Sequence, residues 1–356
     1  MPRRSNAPHA MTAHWLDLSR AQILAYRRAV QALDRRLLAG PESLRRAAWA
    51  GLQDSMPRAA LLSIHARVEG TAPTSWEDPS LVQLWGPRFS AYVVARPDVA
   101  VFSLGRLPDD AKGRRRAETT AARLRAFLDG RTMTYAEVGH ALGINPNALR
   151  YAAPTGTVLI RWDGARLPTI WTIPPPEISP GEARLELARR YLNVFGPATP
   201  DGFARWAGIG ARGGRAAFEA LGRALAPVRT PIGDSWILAG DEPTIRGLAG
   251  QAGPDAPVAD ARLLPSGDTY FLLHGADREL LVPEADRRGA LWTPRVWPGA
   301  VLVRGEIVGT WRRAGVDVMI QPWRRLDPEE RTAIEREAAS LPLPDLRGPI
   351  RVRWEA

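Results

Sequence analysis

The sequence contains no cysteine. Without a thiol there can be no disulfide framework and no thiolate metal site, a composition that fits a reducing compartment. Lysine is nearly absent too, Lys112 being the only one in 356 residues. The positive charge is therefore carried by guanidinium groups, which fork onto phosphate oxygens or the edge of a guanine. A GC-rich genome explains the arginine-to-lysine ratio, but it does not explain a net charge of +10. Long apolar runs are missing, so nothing reads as a membrane span, and residues 1–15 carry Arg3 and Arg4 without the apolar stretch of a secretory signal. Histidines number five, and no Walker-type glycine loop, dinucleotide fingerprint or metal cluster is found. The expectation is a cytoplasmic protein with no small-molecule cofactor, no metal and no membrane partner.

What is present points to nucleic acid. A surplus of ten positive charges concentrates a polyanion at the surface, so nucleic acid is the expected partner; with the helix and hairpin pattern below, the expectation becomes double-stranded DNA bound by a monomeric, nucleoid-associated protein. The length exceeds one typical core and favours two to four modules. Connector-like stretches at 107–116, at Pro174-Pro175-Pro176 and at 240–260 divide the chain into parts covering 15–110, 117–174, 180–240 and 260–356.

The second part gives the clearest pattern. Ala121, Leu124, Phe127 and Leu128 share a helical face. Thr134 and Glu137 stand at capping-box spacing ahead of a second helix, and Asn145 with Pro146 opens a third that carries Asn147, Arg150 and Tyr151. Two β-rich runs, 157–162 and 167–173, flank Asp163-Gly164, a tight-turn signal. This is the order of a helix-turn-helix followed by a wing. The first part repeats it, with Ser19 and Gln22 capping a helix, helices near 41–53 and 57–67, and a hairpin expected from strands 88–94 and 99–104. The third part has helices at 181–195, after Thr199 and at 213–225, then wing strands at 228–230 and 236–239. The fourth part changes to short strands at 262–264, 270–273, 300–304, 306–312 and 316–322, with a helix starting at Asp327-Pro328 and a terminal edge strand at 350–354. The fold class expected is α+β: tandem winged-helix modules followed by a small C-terminal antiparallel β-barrel or sheet.

Several segments, namely WPGAVLVRGEIVGTWRR at 297–313, RLLPSGDTYFLL at 262–273, residues 84–108 and residues 191–209, together resemble the tandem winged-helix family that includes the AlkZ-type DNA glycosylases of bacteria. The resemblance implies removal of alkylated bases, including those in interstrand crosslinks, by a monofunctional glycosylase. It also implies a catalytic pair, Gln-x-Gln or a variant, near the end of a helix in the first part, aligned with His65-Ala66-Arg67. An imidazole at His65 would orient the attacking water. A guanidinium at Arg67 opposes a cationic transition state unless a phosphate neutralises it, and would otherwise serve as a phosphate ligand.

Each candidate also has a plainer reading. His65 lies among Leu61, Leu62, Ile64 and Val68, as a core histidine would. Asn147, Arg150 and Tyr151 stand where a recognition helix meets a groove, or on a solvated face. Arg161 and Arg166 flank the wing turn, Arg212 and Arg215 lie on the third module, and Arg312 and Arg313 follow Trp311, all suited to phosphate contact or simply to solubility. Asp268 either assists the site or forms a turn with Ser266-Gly267. Two other functions fit the same composition: a non-catalytic, sequence-specific transcriptional regulator reading DNA through Asn147 and Arg150, and a protein–protein scaffold.

Overall fold

In the computed structural model, which describes residues 15–164, 167–249, 261–344 and 348–355, several helices begin where side-chain chemistry can close them. Ser19, Thr134, Ser179 and Asp327 each accept a hydrogen bond from the backbone N–H three residues on, and Gln22, Glu137, Glu182 and Glu330 in turn accept one from the cap's own N–H. Two otherwise orphaned donors are satisfied at each end. The helices so started are Arg20–Val30, Tyr135–Ala141, Pro180–Phe195 and Pro328–Ala339. Asn145 caps the 3₁₀ segment Pro146–Thr155 in a similar way, through the N–H of Asn147.

Among the described residues the strands gather into three sheets. The largest runs Leu52–Gln53, Ala91–Ala95, Leu81–Trp85, Val158–Arg161, Thr169–Thr172, Met133–Thr134, antiparallel at every step. It joins strands from both sides of the 107–116 stretch. A second sheet pairs Leu16–Asp17 in parallel with Leu225–Thr230, which lies antiparallel to Gly233–Leu238. The third runs Ala261–Leu264, Gly299–Val303, Glu306–Ala314, Asp317–Pro322, Arg351–Trp354.

That third sheet corrects the barrel expectation. It is open, and its terminal strand pairs in parallel with Asp317–Pro322. The helices Pro328–Ala339 and Ala59–Arg67 pack against its edge strand Ala261–Leu264. Ala333, Ile334 and Ala338 pack there on Leu263, Val301 and Ile320.

Two further expectations are corrected. The first hairpin is built from Leu81–Trp85 and Ala91–Ala95, and residues 99–104 form the helix Val99–Leu104. Residues 270–273 are no strand: Asp268 accepts from the Tyr270 N–H and the chain turns, burying Tyr270, Phe271 and Leu272. The fold is mixed α and β, with one core shared by Leu24, Tyr92, Phe102, Leu187, Trp206, Phe271 and Leu302, residues from all along the chain. No helix among the described residues is long and apolar enough to cross a membrane.

Candidate active site

The helix Ala59–Arg67 is buried along its whole length. His65 is 7% exposed, with Nδ1 at 2.7 Å from the Thr71 hydroxyl and Nε2 at 3.0 Å from that of Ser340. Burial, reinforced by Arg36 and Arg262, holds its pKa down at about 3, so the ring is neutral at pH 7. Arg67 is 1% exposed and donates through both terminal nitrogens to Asp268, at 2.7 and 2.8 Å. Its remaining bonds go to the Ser63 carbonyl and to Gln31, while Ser63 donates to the same Asp268 carboxylate. The anion that neutralises Arg67 is thus internal, and Asp268 is at once a turn residue and a buried ion-pair partner.

A second polar group lies just before this helix. Leu52–Gln53 is a two-residue edge strand paired to Tyr92 and Val93. Its pleat sends neighbouring side chains to opposite sides: Gln53 is half-buried, Asp54 buried and Ser55 exposed. Gln53 Nε2 donates to the Ser55 hydroxyl at 2.6 Å, and Gln53 Oε1 accepts from Arg88 at 3.4 Å. Gly267, at φ +75°, lies against the carboxamide, and a Cβ there would stand 3.3 Å from Gln53 Nε2. The turn fixed by the Arg67–Asp268 pair therefore presses on Gln53.

Asp54 anchors the group from within. One carboxylate oxygen accepts from the Ala60 N–H at 3.0 Å, closing the start of the Ala59–Arg67 helix, and the other accepts from Gln83 at 2.6 Å. Gln83 in turn holds the N–H and the carbonyl of Trp162, at the tip of the second hairpin. Burial raises the Asp54 pKa to about 6, against the lowering effect of those hydrogen bonds and of Arg58 and Arg161. From the next residue on, Met56 and Pro57 line a cavity of about 400 Å³ together with Ser266, Trp297, Arg312 and Arg313. Carboxamide, hydroxyl and a nearby cleft can hold a water molecule against a bound nucleotide. No strong base is needed where the leaving group is already cationic.

Of the residues singled out in the sequence, Arg312 and Arg313 meet at this cavity. Arg212 and Tyr151 line a different one, of about 420 Å³, beside Phe89, Arg106 and Arg116; the Arg116 guanidinium stacks on the Tyr151 ring. Asn147 accepts from the Tyr135 hydroxyl at 2.6 Å, and Arg150 lies over the same ring. Arg161 is ion-paired with Glu77 and stacked on Trp76, and Arg215 stands 3.6 Å from Asp201. Arg166 falls outside the described residues. Gln53, Ser55, Arg88 and His274 were not singled out. One signal was available: Gln53-Asp54-Ser55 is a glutamine followed two positions later by a second polar side chain, closer to Gln-x-Gln than His65-Ala66-Arg67 is.

Open sheets, and a polar group close in the chain to a cavity that holds two arginines, suit a protein that acts on nucleic acid. A sequence profile described as "DNA glycosylase AlkZ-like" matches residues 44–342, and the chain belongs to that family. A relative from Streptomyces sahachiroi, the "Interstrand DNA cross-link repair glycosylase", is 28% identical over 167 residues. The alignment takes in 46% of this chain and 43% of that relative, less than half the length of either. The structure of the "Streptomyces sahachiroi DNA glycosylase AlkZ" superposes with a TM-score of 0.74 at 19% identity, covering 96% of this chain and 100% of that one; the two share a fold.

Proposed function

We propose that this protein is a monofunctional DNA glycosylase that hydrolyses the N-glycosidic bond of alkylated bases in double-stranded DNA, with Gln53 and Ser55 as its catalytic pair. The observation that carries the reading is the Gln53–Ser55 contact, one residue before Met56 in the lining of a cavity that also holds Arg312 and Arg313, in a chain that belongs to a glycosylase family. Gln53 and Ser55 position the attacking water. Loss of an N7-alkylated base leaves positive character on the sugar, and the site answers with carboxamide and hydroxyl dipoles. Asp54 is a positioning residue that ties the pair to the helix and to the second hairpin. His65 and Arg67, occupied by Thr71, Ser340 and Asp268, hold the fold under the site.

In this reading 117–174 and 180–240 act as winged helices, between a first module at 15–110 and a C-terminal unit at 260–356, in a monomer that works on the nucleoid. Arg312 and Arg313 meet the strand at the cleft, while Arg212 and Tyr151 supply a separate contact. The test is base release from duplex DNA carrying N7-methylguanine, scored by strand cleavage at the abasic site. Release above the spontaneous rate is expected. Tight binding to one operator with no release would support the regulator instead.

A further inference from the structure

Three arginines from distant parts of the chain surround His274, and one of them, Arg88, reaches Gln53. Arg88 comes from the turn Pro87–Phe89, Arg205 from the helix Pro200–Ala207 and Arg278 from the helix Asp277–Leu281. His274 stands among them and accepts from Arg88 through Nε2, which leaves its proton on Nδ1 as a free donor. Arg205 reaches over Gly275, where φ is +59° and a Cβ would lie 3.4 Å from Arg205 Nη1. Arg278 donates to the Leu273 carbonyl at 2.8 Å and lies over Trp292 and Trp297, at 4.9 and 5.4 Å from the ring centroids. Packing thus holds the cations from behind.

None of the three is ion-paired among the described residues, and the acid next to Arg278, Asp277, is engaged instead by Arg27 at 2.9 Å. His274 adds no negative charge; burial and then Arg88, Arg278 and Arg205 hold its pKa down at about 4. The backbone is bent to build this group. Arg88 and Phe89 are consecutive left-handed residues at φ 55° and 58°, a conformation unfavourable for any residue that carries a Cβ. Gly208, left-handed at φ +71°, lets the Arg88 backbone approach, for a Cβ there would stand 3.0 Å from Arg88 N.

An uncompensated cationic group next to a reaction that develops positive charge raises the barrier unless an anion occupies it. We propose that Arg88, Arg205, Arg278 and His274 form a socket for one backbone phosphate of the DNA strand that enters beside Gln53. The proposal rests on the glycosylase reading of the site. The bound phosphate fixes the lesion strand against Gln53, which already lies within hydrogen-bond reach of Arg88, and cancels the charge that would oppose base loss.

Arg205 is exposed and makes no hydrogen bond among the described residues, so its substitution leaves the fold intact, which a matched thermal unfolding curve verifies. Affinity for a duplex carrying one N7-methylguanine is measured by fluorescence anisotropy across a salt series, for the full-length wild type, Arg205→Gln, Arg205→Lys and Arg246→Gln. Arg246 is an exposed arginine paired with Glu242 and serves as the control for general charge loss. Arg205→Gln is expected to weaken binding and to lower the slope of log K against log salt by about 1. Arg205→Lys should keep the slope and Arg246→Gln should match wild type. A wild-type slope in Arg205→Gln, with wild type binding normally, overturns the socket and leaves the glycosylase reading standing. Failure of wild type to bind the duplex at low salt overturns both.

Discussion

Asp54 and His65 are buried ionisable groups with opposite effects on stability. The Asp54 pKa rises from 3.8 to about 6, so within that window the native state holds a proton that the unfolded chain has released. Stability therefore falls as pH rises from about 4 to 6, by up to about 3 kcal/mol. The His65 pKa falls from 6.5 to about 3. The unfolded chain takes up that proton first, so stability falls as pH drops through the same region. In wild type the two partly cancel. Asp54→Asn should steepen the loss of the thermal midpoint between pH 6.5 and 4, and His65→Gln should flatten it; the check is unfolding followed by circular dichroism across that range. The same acid slope in all three proteins would contradict both assignments. At this scale the sequence hid more than it displayed. His65 is a polar residue in an apolar helix, which reads equally as ligand or as core, and its partners Thr71 and Ser340 lie where no local pattern points.

Among the elements, the helix Ala59–Arg67 and the turn at 265–268 are locked by Arg67 and Asp268, both almost fully buried. Removing one partner strands the other charge in the core. Arg67→Ala is expected to destabilise by about 3–5 kcal/mol, while the apolar replacement Arg67→Met with Asp268→Leu should recover most of that in urea unfolding. A double variant as unstable as the single one would show that the carboxylate's bonds to Ser63 and Tyr270 matter more than the pair. Element starts were the most legible feature. The capping boxes at Ser19 and Thr134 and the helix start at Asp327 are local chemistry, and local chemistry set them. The segment 99–104 misled because Val-Ala-Val-Phe-Ser-Leu alternates like a strand. Its helix is imposed from outside, by packing on Pro180–Phe195 and by Asp98, whose carboxylate is taken by Arg190 and Arg45. Of the barrel and the sheet that the fourth part allowed, the open sheet formed; a strand's own pattern is the same in either and does not say whether the two end strands pair.

For the whole molecule, the six-stranded sheet and the shared core couple segments that the sequence divides by connectors. Unfolding should be one cooperative event, with near- and far-ultraviolet circular dichroism giving coincident transitions. Separated transitions would mean that the parts are stable alone. The second hairpin is docked, with Gly164 against Pro57 and Arg58 donating to the Asp163 carbonyl at 2.8 Å. Gly164→Val, placed at φ +82° with its Cβ 2.7 Å from Pro57, should loosen that contact and slow base release more than it weakens duplex binding. Equal losses in both would contradict a positioning role for the docked hairpin. The surplus of positive charge was legible from composition, whereas its placement was not, because Arg88, Arg205 and Arg278 come together only through the fold.

The central claim is that the polar pair before the buried helix, and no residue within that helix, performs the chemistry. The most direct measurement is single-turnover base release from N7-methylguanine duplex by wild type, Gln53→Ala and His65→Ala, each corrected for the fraction folded. Gln53→Ala is expected to lower the rate about 100-fold or more, with duplex affinity within a few-fold of wild type, while His65→Ala keeps its rate per folded molecule. A Gln53→Ala protein as fast as wild type, or loss of turnover confined to folded His65→Ala, would contradict the account.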